Sequence, residues 1–312
     1  MRERRLSAVG LVLGAACSVQ GGAAVAKSLF PQLGPPGVVF LRLLFGALAL
    51  WAIARPQIRG RSRADLQLVA VLGVVLVSMN LCFYEAIARL PLGIAVTVEF
   101  LGPLTVAVLL SRRPVDLVWV ALAGSGVALL ADGGGKNVHA TGIVLAATAG
   151  LFWALYILLS VRVGRRWPGP TGLAPAMVVG GLLALPWGII SAGSHLGDAR
   201  LVGAAAGVGL LSSALPWSLE LEALRRLPPA VFSVVLSLEP AVAALAGFVF
   251  LHEHLRSRAW IAIGIVLGGT FGVGTVLFAV LVGPVVESSF ALLQRSPLAA
   301  STPTHTPVVT GE

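Results

Sequence analysis

The chain has 312 residues, of which 57% are hydrophobic and only 11% are charged, and its mean hydropathy is +0.94. A soluble domain carries about 25% charged residues, so this composition excludes an ordinary soluble protein and indicates one with many membrane-spanning segments. The net charge of +9 does not indicate a nucleic-acid partner. The basic residues lie in short clusters between apolar runs, a pattern that sets membrane topology.

Ten stretches of the chain are long and apolar enough to cross a bilayer, which takes about 20 residues as a helix. Loop signals such as Gly34-Pro35-Pro36 and Arg112-Arg113-Pro114 separate them. The predicted spans are 6–26, 36–54, 66–88, 92–111, 114–131, 140–161, 172–192, 201–222, 230–251 and 258–281. The sequence therefore predicts an all-α polytopic membrane protein with ten transmembrane helices.

Lys and Arg are unevenly distributed over the loops between these spans. With the N-terminus inside the cell, fifteen of them lie on the inner side and six on the outer side, when Arg42 is set aside as intramembrane. Cytoplasmic loops carry the excess of basic residues, so both termini are predicted to be cytoplasmic. Residues 282–312, which are rich in Ser, Thr and Pro, are predicted to form a disordered cytoplasmic tail.

The two halves of the chain repeat one pattern. The stretch from Glu85, E-A-I-A-R-L-P-L-G-I-A-V-T-V-E-F-L-G-P, matches at a constant offset of 137 the stretch from Glu222, E-A-L-R-R-L-P-P-A-V-F-S-V-V-L-S-L-E-P. Each copy holds five spans, an odd number, so the second copy enters the membrane from the opposite side. The sequence predicts two inverted five-helix repeats, 6–131 and 140–281. Such pairs are characteristic of secondary transporters, whose substrate site lies near the midplane at the repeat interface.

Four ionisable residues lie inside the predicted spans: Arg42, Glu99, Glu220 and Glu239. Each costs roughly 2.5–3.5 kcal/mol near the bilayer centre and so invites a functional explanation. Pointing inward, Arg42 could bind a substrate carboxylate while Glu99 or Glu239 takes an ammonium group or a proton. Alternatively, Arg42 could extend to the membrane surface. The sequence does not decide whether Glu220 lines the site or lies at an interface.

Pro103 and Pro240 occupy equivalent positions of the two repeats, close to Glu99 and Glu239. A proline inside a helix frees the carbonyl four residues earlier and bends the helix, and for Pro103 that carbonyl belongs to Glu99. Paired interruptions in corresponding segments point to a transport site, so both prolines are predicted hinges. The alternative is that the prolines only shape the bundle and that the carboxylates form structural ion pairs with Arg42.

Other polar and small residues support weaker predictions. Asn80 and Trp217 lie at equivalent positions of the repeats and are candidates to line the substrate site, although such residues also join helices. Glu85 precedes Arg89 by four residues, the favourable order for a structural pair on a helix surface. Glycines four apart are typical of closely packed membrane helices. They occur at Gly10/Gly14, Gly203/Gly207 and Gly264/Gly268/Gly272.

No pattern in the chain indicates an enzyme, a cofactor or a metal site. His252 and His254 are two residues apart and cannot share one helix face, and no further ligand cluster accompanies them. The run Gly133-Gly134-Gly135-Lys136 lacks the spacing of a phosphate loop. An intramembrane enzyme would need a nucleophile with its base, which is not found, and a membrane scaffold would not explain paired prolines beside buried carboxylates.

The run Ser212–Leu255, S-S-A-L-P-W-S-L-E-L-E-A-L-R-R-L-P-P-A-V-F-S-V-V-L-S-L-E-P-A-V-A-A-L-A-G-F-V-F-L-H-E-H-L, resembles the second EamA repeat of the drug/metabolite transporter superfamily. It is most similar to the threonine/homoserine exporter branch. Glu99-Phe100-Leu101-Gly102-Pro103 resembles that branch's first-repeat motif, and Glu239-Pro240 matches the L-E-P motif. Glu253 matches the glutamate of the L-G-E motif that ends the ninth helix, with His252 in place of the glycine.

This resemblance, which covers about residues 6–280, implies ten helices in inverted repeats in the plasma membrane. It also implies export of a small amino acid such as threonine or homoserine, by proton antiport and alternating access. The implied partners are an amino-acid-like solute, protons and the lipid bilayer. A transporter of nucleobase-like or drug-like solutes, or an importer, is the alternative. The sequence leaves open whether the protein forms a homodimer.

Overall fold

The computed structural model describes residues 2–110, 139–168, 171–216 and 238–253, together with Leu219, Ala223, Leu227 and Val235. The described residues form α-helices, joined by turns, a short 3₁₀ helix (Gly193–Gly197) and a π-helical segment (Leu210–Ala214). The helices are α1 (Arg2–Ser28), α2 (Phe30–Ala54), α3 (Arg63–Ile87), α4 (Leu92–Glu99), α5 (Leu101–Leu110), α6 (Ala140–Gly164), α7 (Leu173–Ala192), α8 (Ala199–Gly209) and α9 (Glu239–Leu251).

Five helical segments in the described part of the chain are long and apolar enough to cross a membrane: Val9–Ser28, Phe30–Ala54, Arg63–Ile87, Ala140–Gly164 and Leu173–Gly197. Large apolar side chains cover the outside of the bundle, since Ile190 is 81% exposed and Trp187 is 60% exposed. In water such a surface would be unfavourable, whereas lipid tails match it. The protein is therefore a multi-pass membrane protein, and its described part is built of helices. The predicted spans 114–131 and 258–281 lie outside the described residues.

Local sequence signals mark the ends of α2 and α3. Gly34 adopts a positive φ of 65° and kinks α2 at the predicted Gly-Pro-Pro break, yet the helix continues beyond it. Arg55 ends α2 in the left-handed conformation, at φ 44°. The Ser62 side chain then accepts a hydrogen bond from the Asp65 backbone N–H at 3.1 Å, which caps the first turn of α3.

The predicted span 92–111 is divided at Phe100 into the helices α4 and α5. Pro103 lies in the first turn of α5. In the second half, α9 begins at Glu239 after a turn at Leu238, and Pro240 lies in its first turn. A proline is accommodated in a first turn because its missing N–H would have no partner within the helix. Both prolines therefore lie beside helix starts, at equivalent positions of the two halves.

Helices α2 and α7 correspond to each other in the sequence repeat, and they pack against each other along their length. Gly37 near the start of α2 lies against Ala192 at the end of α7, and Gly46 lies against Met177 near the start of α7. The two equivalent helices therefore run antiparallel.

Helices α4 and α9, one from each half of the chain, form a second pair in direct contact. A Cβ on Gly93, near the start of α4, would lie 2.7 Å from the Cα of Ala244, and Leu92 lies beside Gly247 near the end of α9. Glu99 at the other end of α4 approaches Glu239 at the start of α9. This pair is also antiparallel, and it brings the two intramembrane glutamates toward each other.

A further contact between the two halves of the chain is made twice, at equivalent glycines. A Cβ on Gly73 of α3 would lie 2.6 Å from the carbonyl oxygen of Ala176 on α7, so the two helices approach closely there. Gly209, the equivalent of Gly73 at an offset of 136, lies in the same way against the carbonyl oxygen of Arg42 on α2, at 3.0 Å. The described helices therefore pack on one another in reciprocal fashion.

Candidate functional site

Arg42 on α2 points toward α3, where it contacts two polar side chains that are one helical turn apart. Its Nη1 donates hydrogen bonds to Asn80 Oδ1 at 2.5 Å and to the Tyr84 hydroxyl oxygen at 3.2 Å. Its guanidinium carbon lies 5.4 Å from the centre of the Tyr84 ring. The Nε atom is buried and has no hydrogen-bond partner among the described residues. Arg42 thus retains a donor for an anion such as a carboxylate.

Asn80 and Tyr84 hold the Arg42 side chain in this position. Asn80 is 3% exposed, and its Nδ2 donates to the carbonyl oxygen of Leu76 at 2.8 Å, which turns Oδ1 toward Arg42. Tyr84 is fully buried, and its ring packs against Phe30 at a centroid distance of 5.8 Å. Because both partners are fixed on the buried face of α3, Arg42 has little freedom to turn toward lipid.

Glu99 and Glu239 are the two buried carboxyl groups of the described residues, at 8% and 9% exposure. Glu99 is close enough to Glu239 and to Arg42 to interact electrostatically with both. Glu99 ends α4, whereas Glu239 begins α9. The two carboxyl groups therefore lie at helix ends of opposite polarity, since the N-terminal end of a helix favours an anion and the C-terminal end does not.

Gln20 of α1 adjoins Glu239. Its side chain is 3% exposed, and its Nε2 donates to Glu239 Oε1 at 3.4 Å. Its Oε1 is buried without a hydrogen-bond partner in the described part of the chain. Gln20 thus extends the group of polar residues to a fifth helix, because the others lie on α2, α3, α4 and α9.

The structure brings four of the predicted site residues together: Arg42, Asn80, Glu99 and Glu239. Trp217 and Glu220 lie outside the described residues. Sequence reasoning missed Gln20 and Tyr84, although both are polar residues within predicted spans, and Tyr84 follows Asn80 by one helical turn. The guanidinium and the two carboxyl groups lie on different helices, and Glu99 interacts electrostatically with the other two groups. Groups of both kinds suit a zwitterion, whose carboxylate would bind Arg42 and whose ammonium group would bind the glutamates.

A second polar cluster involves Glu253, just beyond α9. Glu253 Oε1 lies 2.5 Å from Lys27 Nζ, and its Oε2 accepts a hydrogen bond from the Leu92 backbone N–H at 2.7 Å. Lys27 Nζ also donates to the carbonyl oxygen of Leu90 at 2.7 Å. The cluster joins the end of α1, the start of α4 and the end of α9. His252 takes a left-handed conformation at φ 54°, which a glycine adopts at no steric cost.

Comparison with known proteins identifies the class of this chain. The EamA-like transporter family matches residues 6–131 and again residues 140–275. The Threonine/homoserine exporter RhtA of Escherichia coli (strain K12) is 43% identical over 265 residues, which are 84% of this chain and 89% of the relative. Its counterpart of the same name from Salmonella typhimurium (strain LT2) is 42% identical over the same length and shares.

More distant proteins agree with this placement. The Uncharacterized transporter YwfM of Bacillus subtilis (strain 168) is 27% identical over 268 residues, covering 80% of this chain and 88% of the relative. One crystal structure resembles the fold with a TM-score of 0.58, covering 88% of this chain and 98% of that chain. At 20% sequence identity, that likeness shows the fold alone.

The fold and the matches define a multi-pass membrane transporter. The chain belongs to the EamA family of the drug/metabolite transporter superfamily, in the threonine/homoserine exporter branch. The family predicted from the sequence motifs is confirmed.

Proposed function

We propose that this protein exports threonine, homoserine or a similar small amino acid in exchange for protons. The placement of Arg42 near Glu99, which in turn adjoins Glu239, carries the proposal, because it offers one guanidinium and two buried carboxyl groups inside a membrane protein. A zwitterionic amino acid presents the complementary pair of charges. The names of two similar proteins, both threonine/homoserine exporters, supply the candidate substrates.

In this mechanism, Arg42 binds the substrate carboxylate through its unused donor, while Asn80 and Tyr84 keep the guanidinium in place. The substrate ammonium group binds at Glu99 and Glu239. A proton that occupies one of these carboxyl groups removes a negative charge and weakens ammonium binding. Substrate and proton therefore compete for the same place, which is the requirement for antiport.

The arrangement of equivalent helices supports alternating access. The antiparallel pair α2/α7, together with the reciprocal contacts of Gly73 and Gly209, supports two repeats of inverted topology. The rocking of one repeat against the other would expose the site to each side in turn. The helix starts beside Pro103 and Pro240 are the proposed hinges. The protein would lie in the inner membrane with both termini in the cytoplasm, as the distribution of basic residues predicts.

The test is efflux from proteoliposomes loaded with threonine, homoserine or a panel of other amino acids, with and without an imposed proton gradient. We expect gradient-dependent efflux of threonine or homoserine. Gradient-dependent efflux of none of the amino acids would contradict the proposal and direct the search to nucleobase-like and drug-like solutes. A preference for movement in the opposite direction under the same gradient would indicate an importer.

Site variants connect the activity to the proposed residues. Arg42→Ala, Glu99→Gln and Glu239→Gln are each expected to abolish efflux while the protein remains in the membrane. Glu85→Gln is the matched control, because Glu85 is paired with Arg89 at an exposed position of α3 and lies outside the site. Full activity in all three site variants would refute the assignment.

A further inference from the structure

Gln20 is a buried amide whose two ends have different surroundings. Its Nε2 donates a hydrogen bond to Glu239, and its Oε1 has no partner among the described residues, although the side chain is only 3% exposed. A buried polar atom without a partner is unfavourable. In a transporter, such an atom is explained if a ligand supplies the missing donor.

The orientation of the amide follows from its neighbour. While Glu239 is ionised, its carboxylate can only accept hydrogen bonds, so Gln20 turns its NH₂ group, and not its oxygen, toward it. The Oε1 atom is therefore directed away from Glu239. Gln20 thus offers a neutral acceptor next to the Glu239 carboxyl group.

We propose that Gln20 Oε1 accepts a hydrogen bond from the side-chain hydroxyl group of the substrate and so favours hydroxylated amino acids. This inference rests on the proposed function and deepens it. The substrate carboxylate binds at Arg42 and the ammonium group at the glutamates, where charge-assisted hydrogen bonds are stronger than any bond to a neutral amide. The hydroxyl group is the third polar group of threonine or homoserine, and Gln20 Oε1 is an unpaired acceptor for it among the described residues.

Such an acceptor distinguishes a hydroxylated substrate from its deoxy analogue. A site that bonds a hydroxyl group discriminates against an analogue that lacks it, because the buried acceptor stays unpaired. The amino acid 2-aminobutyrate is the deoxy analogue of both threonine and homoserine. The unmodified protein should therefore prefer threonine or homoserine over 2-aminobutyrate.

The experiment compares efflux of these three amino acids from proteoliposomes containing the unmodified protein or Gln20→Met. Methionine has nearly the same length as glutamine but lacks the amide. We expect the ratio of threonine or homoserine transport to 2-aminobutyrate transport, each taken as kcat/KM, to fall about 5- to 150-fold in Gln20→Met. A residue that only positions Glu239 would change transport of all three solutes alike and leave the ratio unchanged.

Two further variants make the result decisive. Ser18→Ala removes a side-chain hydrogen bond from α1 to the Leu211 carbonyl, so it perturbs the same helix and should leave the ratio unchanged. Gln20→Asn keeps the amide but withdraws it by one methylene, so it should lower the ratio, and it decides the question if Gln20→Met does not accumulate. An unchanged ratio in the Gln20 variants, or no preference in the unmodified protein, overturns the role of Gln20 alone. Efflux of none of the three by the unmodified protein overturns the proposed function and this inference together.

Discussion

Lys27 and Glu253 are 226 residues apart in the chain, yet their side chains form an ion pair with a distance of 2.5 Å between Nζ and Oε1. Lys27 lies at the end of α1, and Glu253 lies just beyond the end of α9. Both side chains are largely buried, at 20% and 15% exposure, and each also bonds to the backbone at the break between α3 and α4. The pair thus connects three segments from both halves of the chain. Its contribution to stability should exceed that of an exposed surface pair.

Lys27→Met should lower the stability of the protein. The substitution removes the ion pair and the hydrogen bond to the Leu90 carbonyl, and it leaves Glu253 charged and partly buried, at a cost of about 1–3 kcal/mol. The measurement is thermal unfolding in detergent, where we expect the midpoint to fall by several degrees. Arg89→Met is the control, because Arg89 pairs with Glu85 on an exposed helix surface. Equal effects of the two substitutions would show that the buried pair is not special.

Glu253→Leu should be more destabilising than Glu253→Gln. Besides the ion pair, Glu253 accepts the Leu92 backbone N–H and so caps the first turn of α4. Glutamine keeps an acceptor for that N–H, whereas leucine leaves it unpaired, which costs a further ~1 kcal/mol. Thermal unfolding of the two variants side by side measures the difference, and indistinguishable midpoints would contradict a capping role.

The candidate site shows what sequence alone can predict. Arg42, Glu99 and Glu239 stand out because a charged residue in an apolar span is costly and therefore informative. Gln20 is equally buried, but an uncharged amide in a helix is a weaker signal. The pairing of Gln20 with Glu239 depends on how α1 packs against α9. No local pattern in the sequence contains that contact.

The glycines show the same limit. The sequence predicts close packing at Gly10 and Gly203, but within the described residues nothing lies within 4 Å of a Cβ built on either. Close approaches of backbone to backbone occur instead at isolated glycines such as Gly102 and Gly150. A spacing of four residues finds glycines that share a helix face, but it does not tell which face meets another helix. Tertiary packing decides that question.

Arg42→Lys should impair substrate binding more than folding. Lysine keeps the positive charge but lacks the planar guanidinium with several fixed donors, so it cannot contact Asn80, Tyr84 and a carboxylate together. We expect the KM for efflux to rise about tenfold or more, with little change in the unfolding midpoint. Arg200→Lys, at an exposed position of α8, is the control. An unchanged KM in Arg42→Lys would show that the charge alone suffices.

Glu99→Gln and Glu239→Gln should affect different steps of transport. Glu239 lies at the N-terminal end of α9 and accepts a bond from Gln20, so its anion is well placed to bind the ammonium group. Glu239→Gln should therefore abolish exchange at equal pH as well as gradient-driven efflux. Glu99→Gln should retain this exchange but remove the response of efflux to a proton gradient. If Glu99→Gln lost exchange and Glu239→Gln lost only the response to the proton gradient, the proposed roles of the two residues would have to be reversed.

Gly102→Ala should disrupt the helix contact beside Glu99. A Cβ at this position would collide with the backbone carbonyl of Gly150 on α6, and the Gly150 site in turn adjoins the carbonyl oxygen of Glu99. Because backbone atoms cannot move aside as a flexible side chain does, the break between α4 and α5 would have to shift away from α6. We expect a lower unfolding midpoint. We also expect a loss of efflux, although Arg42 and Glu239 are still present. Gly203→Ala is the matched control, since a Cβ there meets nothing within 4 Å among the described residues and alanine favours the helix. Normal stability and efflux in Gly102→Ala would contradict this close packing.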